Sequence, residues 1–193
     1  AQASLDNYIP DPNYPSQQQA LEAVREFSLG GTFRQPAKSG LFGRKKSAPP
    51  SPDRPGVYLD GGFGVGKTHL LAALWHATPG RTYYGTFIEY TALVGALTYQ
   101  GAVDQLRGAA FLAIDEFELD DPGSTLLIAT FLREAFERGT WVLTTSNTPP
   151  ASQGRGRFAA ADFKRQIHGI AERFDVIAID GPDHRAGRRQ RAW

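Results

Sequence analysis

GGFGVGKTHLLAALW, residues 61–75, sets four glycines and a lysine directly ahead of a run of helix-forming residues. Fixing glycine costs conformational entropy, so such a cluster marks backbone that must approach something closely or take positive φ. The spacing Gly61-x-x-x-x-Gly66-Lys67-Thr68 follows the apolar run Val57-Tyr58-Leu59 and opens a helix, the strand–loop–helix context of a P-loop. Backbone N–H groups converge on phosphate oxygens only where side chains leave room, and a helix start adds partial positive charge. On this reading Gly61, Gly62, Phe63, Gly64, Val65, Gly66, Lys67 and Thr68 cradle a nucleotide. Lys67 reaches the β- and γ-phosphates as a point charge, and the Thr68 hydroxyl completes the coordination of Mg²⁺. The expected ligands are therefore ATP and Mg²⁺.

Downstream, Phe-Leu-Ala-Ile-Asp-Glu at 111–116 ends an apolar strand in two carboxylates, the form of a Walker B motif. Asp115 is expected to hold Mg²⁺, directly or through water, and Glu116 to polarise the attacking water. Thr144-Thr145-Ser146-Asn147 closes the next strand. A polar residue such as Asn147 at that strand end can hydrogen-bond the lytic water or the γ-phosphate, the sensor role of AAA+ ATPases, although Ser-Asn-Thr-Pro-Pro is also ordinary turn chemistry. Phosphoryl transfer gains from a cation at the developing charge, in cis or from a neighbour. Arg157 in GRGRF and Arg173 in AERF are both candidates, lying between the sensor strand and the last strand.

Around these motifs short apolar runs alternate with helical patterns. GVYL, RTYYGTF, AFLAI, TWVLTT and DVIAID read as five strands separated by helices, which describes a parallel sheet covered on both faces. The spacing of Ala20, Leu21, Val24 and Phe27 predicts an amphipathic helix over 16–28, and Asp121, Pro122 and Gly139 bound another over 122–138. The fold class is α/β, a P-loop NTPase of AAA+ type with a five-stranded parallel sheet between helices. The expected organisation is an N-terminal helical segment (1–31), a proline-rich loop (32–56), the ATPase core (57–185) and a basic tail (186–193).

A chain of 193 residues with 41% hydrophobic content suits one domain. The lack of cysteine rules out disulfides and thiolate metal sites, and no apolar run is long enough to span a membrane. The start lacks a secretory signal, and with no methionine the chain reads as processed or cut. Net charge is +1, yet residues 104–137 carry eight acidic and two basic side chains, whereas 155–193 carry nine basic and five acidic. That division describes either solvated faces or head-to-tail packing of copies. The near-zero balance does not argue for nucleic acid. The alternative of a helicase-loader-like ATPase acting with nucleic acid rests on Arg44, Lys45 and Lys46 and on the arginines after 184, two short runs without interleaved aromatics apart from Phe42 and Trp193.

With these residues in place, the chain resembles the ZapE family of AAA+ ATPases, bacterial relatives of a mitochondrial ATPase family. PGVYLDGGFGVGKTHLLAALW, AIDEFELDDPGSTLL, TTSNTPP, GRFAAADF and AIDGPDHR look like that family's blocks, in order, across residues 55–185. SLDNYIPDP to REF looks like its N-terminal segment. The resemblance implies a Mg²⁺-dependent ATPase, cytoplasmic in bacteria and linked to cell division through the FtsZ ring. It also implies a protein partner, homo-oligomers when ATP-bound, and work near the membrane periphery without a span. Mitochondrial relatives imply protein quality control. Arg157 matches the arginine of the family's R-F block. Family members continue past the D-x-R block, which here reads Asp183-His184-Arg185, whereas this sequence stops at AGRRQRAW. On this resemblance, the segment that lies over the nucleotide with a second sensor is expected to be missing or replaced.

Overall fold

The computed structural model describes residues 2–32, 55–119, 121–148, 165 and 168–182. Helix α1 (Pro15–Thr32) leads to β1 (Gly56–Gly61), α2 (Lys67–Ala77), β2 (Thr82–Thr86), α3 (Phe87–Leu106), β3 (Phe111–Asp115), α4 (Pro122–Glu137), β4 (Trp141–Ser146) and β5 (Phe174–Ile179). All four strand pairings are parallel, in the order β2-β3-β4-β1-β5. The chain leaves β1 for the far edge and then returns strand by strand. With right-handed crossovers, that reversal puts α2 on one face and α3 and α4 on the other.

Alternation along the strands matches this layering. Val57, Leu59, Phe111, Ala113 and Leu143 pack with Ala20, Leu21, Val24 and Phe27 of α1 and Leu70, Leu71 and Leu74 of α2. Tyr58, Leu112, Ile114 and Val142 face Phe87, Tyr90, Val103 and Leu106 of α3 and Ile128, Phe131 and Leu132 of α4. The two edge strands are the exceptions to continuous burial, β2 leaving Tyr84 exposed and β5 leaving Val176 half exposed.

Local chemistry sets the helix ends. Asp121 caps α4 by accepting the Ser124 N–H at 2.7 Å, and Gly139 follows that helix at φ 82°. Thr86 and Glu89 form a reciprocal capping box that starts α3 directly at the end of β2, without an intervening loop. Within α3, Thr98 takes φ 64° and kinks the helix, and its hydroxyl accepts the Gly101 N–H at 3.4 Å.

The N-terminal segment is tied to the sheet by polar contacts as well as by the apolar face of α1. Gln17, 2% exposed, accepts the Asp11 N–H at 2.8 Å and donates to the Asp180 carbonyl at 3.0 Å, while Ser16 accepts the Asp180 N–H at 2.8 Å. Gln17→Ala removes two part-buried hydrogen bonds at about 0.5–1.5 kcal/mol each, so we expect it to lower stability by about 1–3 kcal/mol. Chemical denaturation of the two chains measures this, and an unchanged midpoint contradicts it.

Candidate functional site

The motifs read from the sequence meet at the carboxyl edge of the sheet. Because β4 lies between β1 and β3, the ends of three strands (Gly61, Ser146 and Asp115) converge there, at the crevice where open α/β sheets take their ligands. A cavity of about 210 Å³ is lined by Phe63, Gly64, Gly66, Lys67, Thr68, His69, Asp115, Glu116, Thr145, Ser146 and Asn147.

Gly66 adopts φ 96°, and a Cβ there would lie 2.5 Å from the Tyr8 ring, so both conformation and space require glycine. No side chain caps α2 at this residue, which leaves the first N–H groups of an 11-residue helix directed at the cavity. Lys67 is 8% exposed, and its ammonium donates to the Gly61 and Gly62 carbonyls, each at 2.6 Å, and to Asn147 Oδ1 at 3.0 Å. Phe63 is 63% exposed at the cavity rim, whereas the Val65 side chain is buried and its carbonyl accepts the Tyr8 hydroxyl at 3.2 Å. Gly61 lies so close to the Ile179 carbonyl that a side chain has no room there, and around Gly62 the space is open.

Asp115 is 7% exposed at the end of β3. Its Oδ1 accepts from Thr68 Oγ1 at 3.2 Å, from the Glu116 N–H at 3.2 Å and from the Thr145 hydroxyl. Its Oδ2 accepts from the Tyr84 hydroxyl at 3.1 Å. Burial, and then the Asp115 charge and hydrogen bond, push the Tyr84 phenol above its ordinary range, so it remains a donor at neutral pH. Glu116 is exposed and takes φ 55°, its N–H also held by Thr145 Oγ1 at 3.0 Å. A non-glycine residue in the left-handed region is costly, and such conformations cluster at functional sites. Among oxygen donors, the Thr68 hydroxyl beside the Asp115 carboxylate is the set suited to a hard divalent cation such as Mg²⁺.

Glu118 was not singled out in the sequence. Its carboxylate gathers Ser146 Oγ at 2.8 Å, the Asn147 N–H at 3.1 Å and Thr148 Oγ1 at 3.0 Å. Asp60, at the end of β1, has its carboxyl raised chiefly by burial; Lys67 opposes the shift, while Glu118 and Asp180 add to it. The segment before α1 also reaches the site. Tyr8 lies against Gly66, and His69 Nε2 contacts Ser4 O at 3.1 Å and Asn7 Oδ1 at 2.8 Å. The sequence marked that stretch only by its likeness to the family's N-terminal segment, which says nothing of a partner 65 residues away.

Of the arginines, Arg157 lies outside the described residues. Arg173 precedes β5, its carbonyl accepting the Gly56 N–H at 3.2 Å and its guanidinium lying 5.8 Å over the Phe136 ring. It therefore sits at the amino edge of the sheet, while the P-loop sits at the carboxyl edge. A strand of this length spans about 20 Å, which places Arg173 out of reach of its own P-loop.

A five-stranded parallel sheet of this order, with a P-loop on β1, paired carboxylates on β3 and a polar strand end on the intervening β4, defines a P-loop NTPase of the AAA+ class. The family model described as AFG1-like ATPase matches residues 1–193, and the chain belongs to that family. It is 29% identical over 204 residues to the cell division protein ZapE of Escherichia coli (strain K12), an alignment covering 93% of this chain and 52% of that relative. The chain thus spans about half the length of the relative. Among solved structures, the fold is similar to that of DnaI, with a TM-score of 0.67 at 20% identity, covering 94% of this chain and 89% of that one. It is likewise similar to the DnaC helicase loader, with a TM-score of 0.62 at 22% identity, covering 92% and 96%. No helix among the described residues is long and apolar enough to cross a membrane.

Proposed function

We propose that this chain binds ATP with Mg²⁺, hydrolyses it, and couples the turnover to remodelling of a protein partner. The observation that carries the proposal is the convergence of Lys67, Thr68, Asp115, Glu116 and Asn147 on one cavity at an uncapped helix start. Lys67 and the N–H groups of the loop and α2 bind the triphosphate. Thr68 and Asp115 would hold Mg²⁺, which when bound neutralises phosphate charge. Glu116 takes a proton from, or orients, the attacking water. Asn147, with its Oδ1 toward Lys67, offers its amide N–H₂ to the γ-phosphate or that water.

Likeness to a cell division protein supports a cytoplasmic role on a division-ring polymer such as FtsZ. Likeness to helicase loaders is likeness of fold, and nucleic acid remains the alternative substrate. Capturing partners from the native host with Glu116→Gln, held in the ATP state, tests both. Recovery of a protein partner in the presence of nuclease supports the proposal, whereas recovery only of DNA with steeply salt-dependent affinity rejects it.

Turnover is expected to need head-to-tail assembly, with Arg157 meeting a neighbour's γ-phosphate. The opposite charge balances of 104–137 and 155–193 suit such a contact. Arg157→Ala should leave nucleotide affinity intact and slow hydrolysis by roughly 10³-fold. Mixing it with Lys67→Ala chains should restore part of the activity, since some interfaces then pair an intact P-loop with an intact arginine. Turnover that is independent of concentration and shows no rescue at any ratio rejects action in trans.

A further inference from the structure

We propose that Glu118 is a positioning residue for hydrolysis: it fixes the end of β4 so that Asn147 presents its amide to the nucleotide. The proposal rests on the reading of Asn147 as the residue that contacts the γ-phosphate or the lytic water. Glu118 lies three residues past Asp115, beyond the paired carboxylates, and does not line the cavity. Its carboxylate is nonetheless committed to one target. Oε1 accepts the Ser146 hydroxyl and the Asn147 N–H, and Oε2 accepts the Thr148 hydroxyl, so one carboxylate grips three successive residues of another strand end. Hydrogen bonds to an ionised acceptor are roughly twice as strong as neutral ones, which suits a clamp on a strand end that leaves Asn147 exposed.

The clamp has a consequence at the cavity. β4 ends at Ser146, and Asn147 itself is exposed. With its backbone N–H held by Glu118, the Asn147 side chain leaves the turn toward Lys67 and meets Nζ at 3.0 Å through Oδ1. Oδ1 is thus occupied by a donor, and the N–H₂ is the branch left to donate to phosphate or water. Glu118 therefore ties together two parts of the site, the residues after the Asp115–Glu116 pair and the turn after β4. Misplacing a group by about 1 Å costs up to roughly 10²-fold in rate, so loss of the clamp is read in turnover rather than in nucleotide binding.

The test is a double-mutant cycle on the full chain, with single-turnover ATP hydrolysis, nucleotide affinity by calorimetry and thermal melting measured on each protein. Glu118→Ala is expected to slow hydrolysis by roughly 10- to 100-fold with little change in affinity. Asn147→Ala should slow it comparably, and the double variant no further than Asn147→Ala alone. Glu118→Gln should recover most of the rate, because its amide oxygen still accepts from Ser146 and Asn147 while Thr148 can turn its hydroxyl to accept from the amide N–H₂. Additive effects of the two alanine variants, or a silent Glu118→Ala beside a slow Asn147→Ala, overturn the proposal. So does a Glu118→Ala chain whose affinity and melting temperature fall in step with its rate, the behaviour of a merely structural residue. A silent Asn147→Ala, or a wild-type chain without single-turnover hydrolysis, rejects the underlying reading of the site and the proposal with it.

Discussion

Lys67→Ala is expected to cost ATP binding most of its affinity, at least roughly 10²-fold. In the structure the ammonium is already drawn into the loop, held by the Gly61 and Gly62 carbonyls and by Asn147, on the wall of the cavity that the proposed nucleotide would fill. Removing it deletes at least two charge-assisted hydrogen bonds to phosphate, about 3 kcal/mol or more, which is roughly 10²-fold or more in affinity. It also releases the contact that orders the loop against the end of β4. The fold should survive, because α2 remains anchored by Leu70, Leu71 and Leu74 at 1% exposure or less. Calorimetric titration with ATP and Mg²⁺ measures the loss, and equal affinities for the two chains would reject the role given to Lys67.

Glu116→Gln is expected to separate binding from chemistry. The residue lies on the cavity wall with its main chain pinned by Asp115 and Thr145 in the left-handed region, and glutamine preserves both length and backbone demand. What it removes is the capacity to accept a proton and to carry charge beside the attacking water. General-base contributions run about 10²- to 10⁴-fold, so single-turnover hydrolysis should fall by that range while ATP affinity holds. If the single-turnover rate is unchanged, Glu116 is not the base.

Much of the candidate site was legible in the chain because its chemistry is local. A glycine at 66 with a lysine and threonine behind it, on a turn from an apolar strand into a helix, specifies backbone conformation within a dozen residues and with it the expectation of a bound phosphate. The same holds for the carboxylates at the end of Phe111–Asp115 and for the Asp121 cap of α4. The strands were legible as well, since a sheet covered on both faces demands near-continuous apolar runs. The helix expected over 16–28 extends to Thr32, and α3 starts at Phe87 because Thr86 and Glu89 form a capping box that the apolar run through 87 obscured.

What the sequence by itself determined is the set of parts: a P-loop, a carboxylate pair, a polar strand end and the α/β class that carries them. Each is written in contiguous residues whose spacing follows from helix and strand periods. Tertiary structure alone decided how the parts meet. It placed β4 between β1 and β3, so that Thr145 bonds Asp115 and Asn147 reaches Lys67. It brought Tyr84 to Asp115, Glu118 to the turn after β4 and Tyr8 to the P-loop, pairs separated by 31, 28–30 and 57 positions respectively. It also set Arg173 at the opposite edge of the sheet from its own P-loop. The physical reason is that local backbone preference ends within a turn or two of helix, whereas strand order and long-range side-chain pairing are settled by burying both faces of one sheet at once.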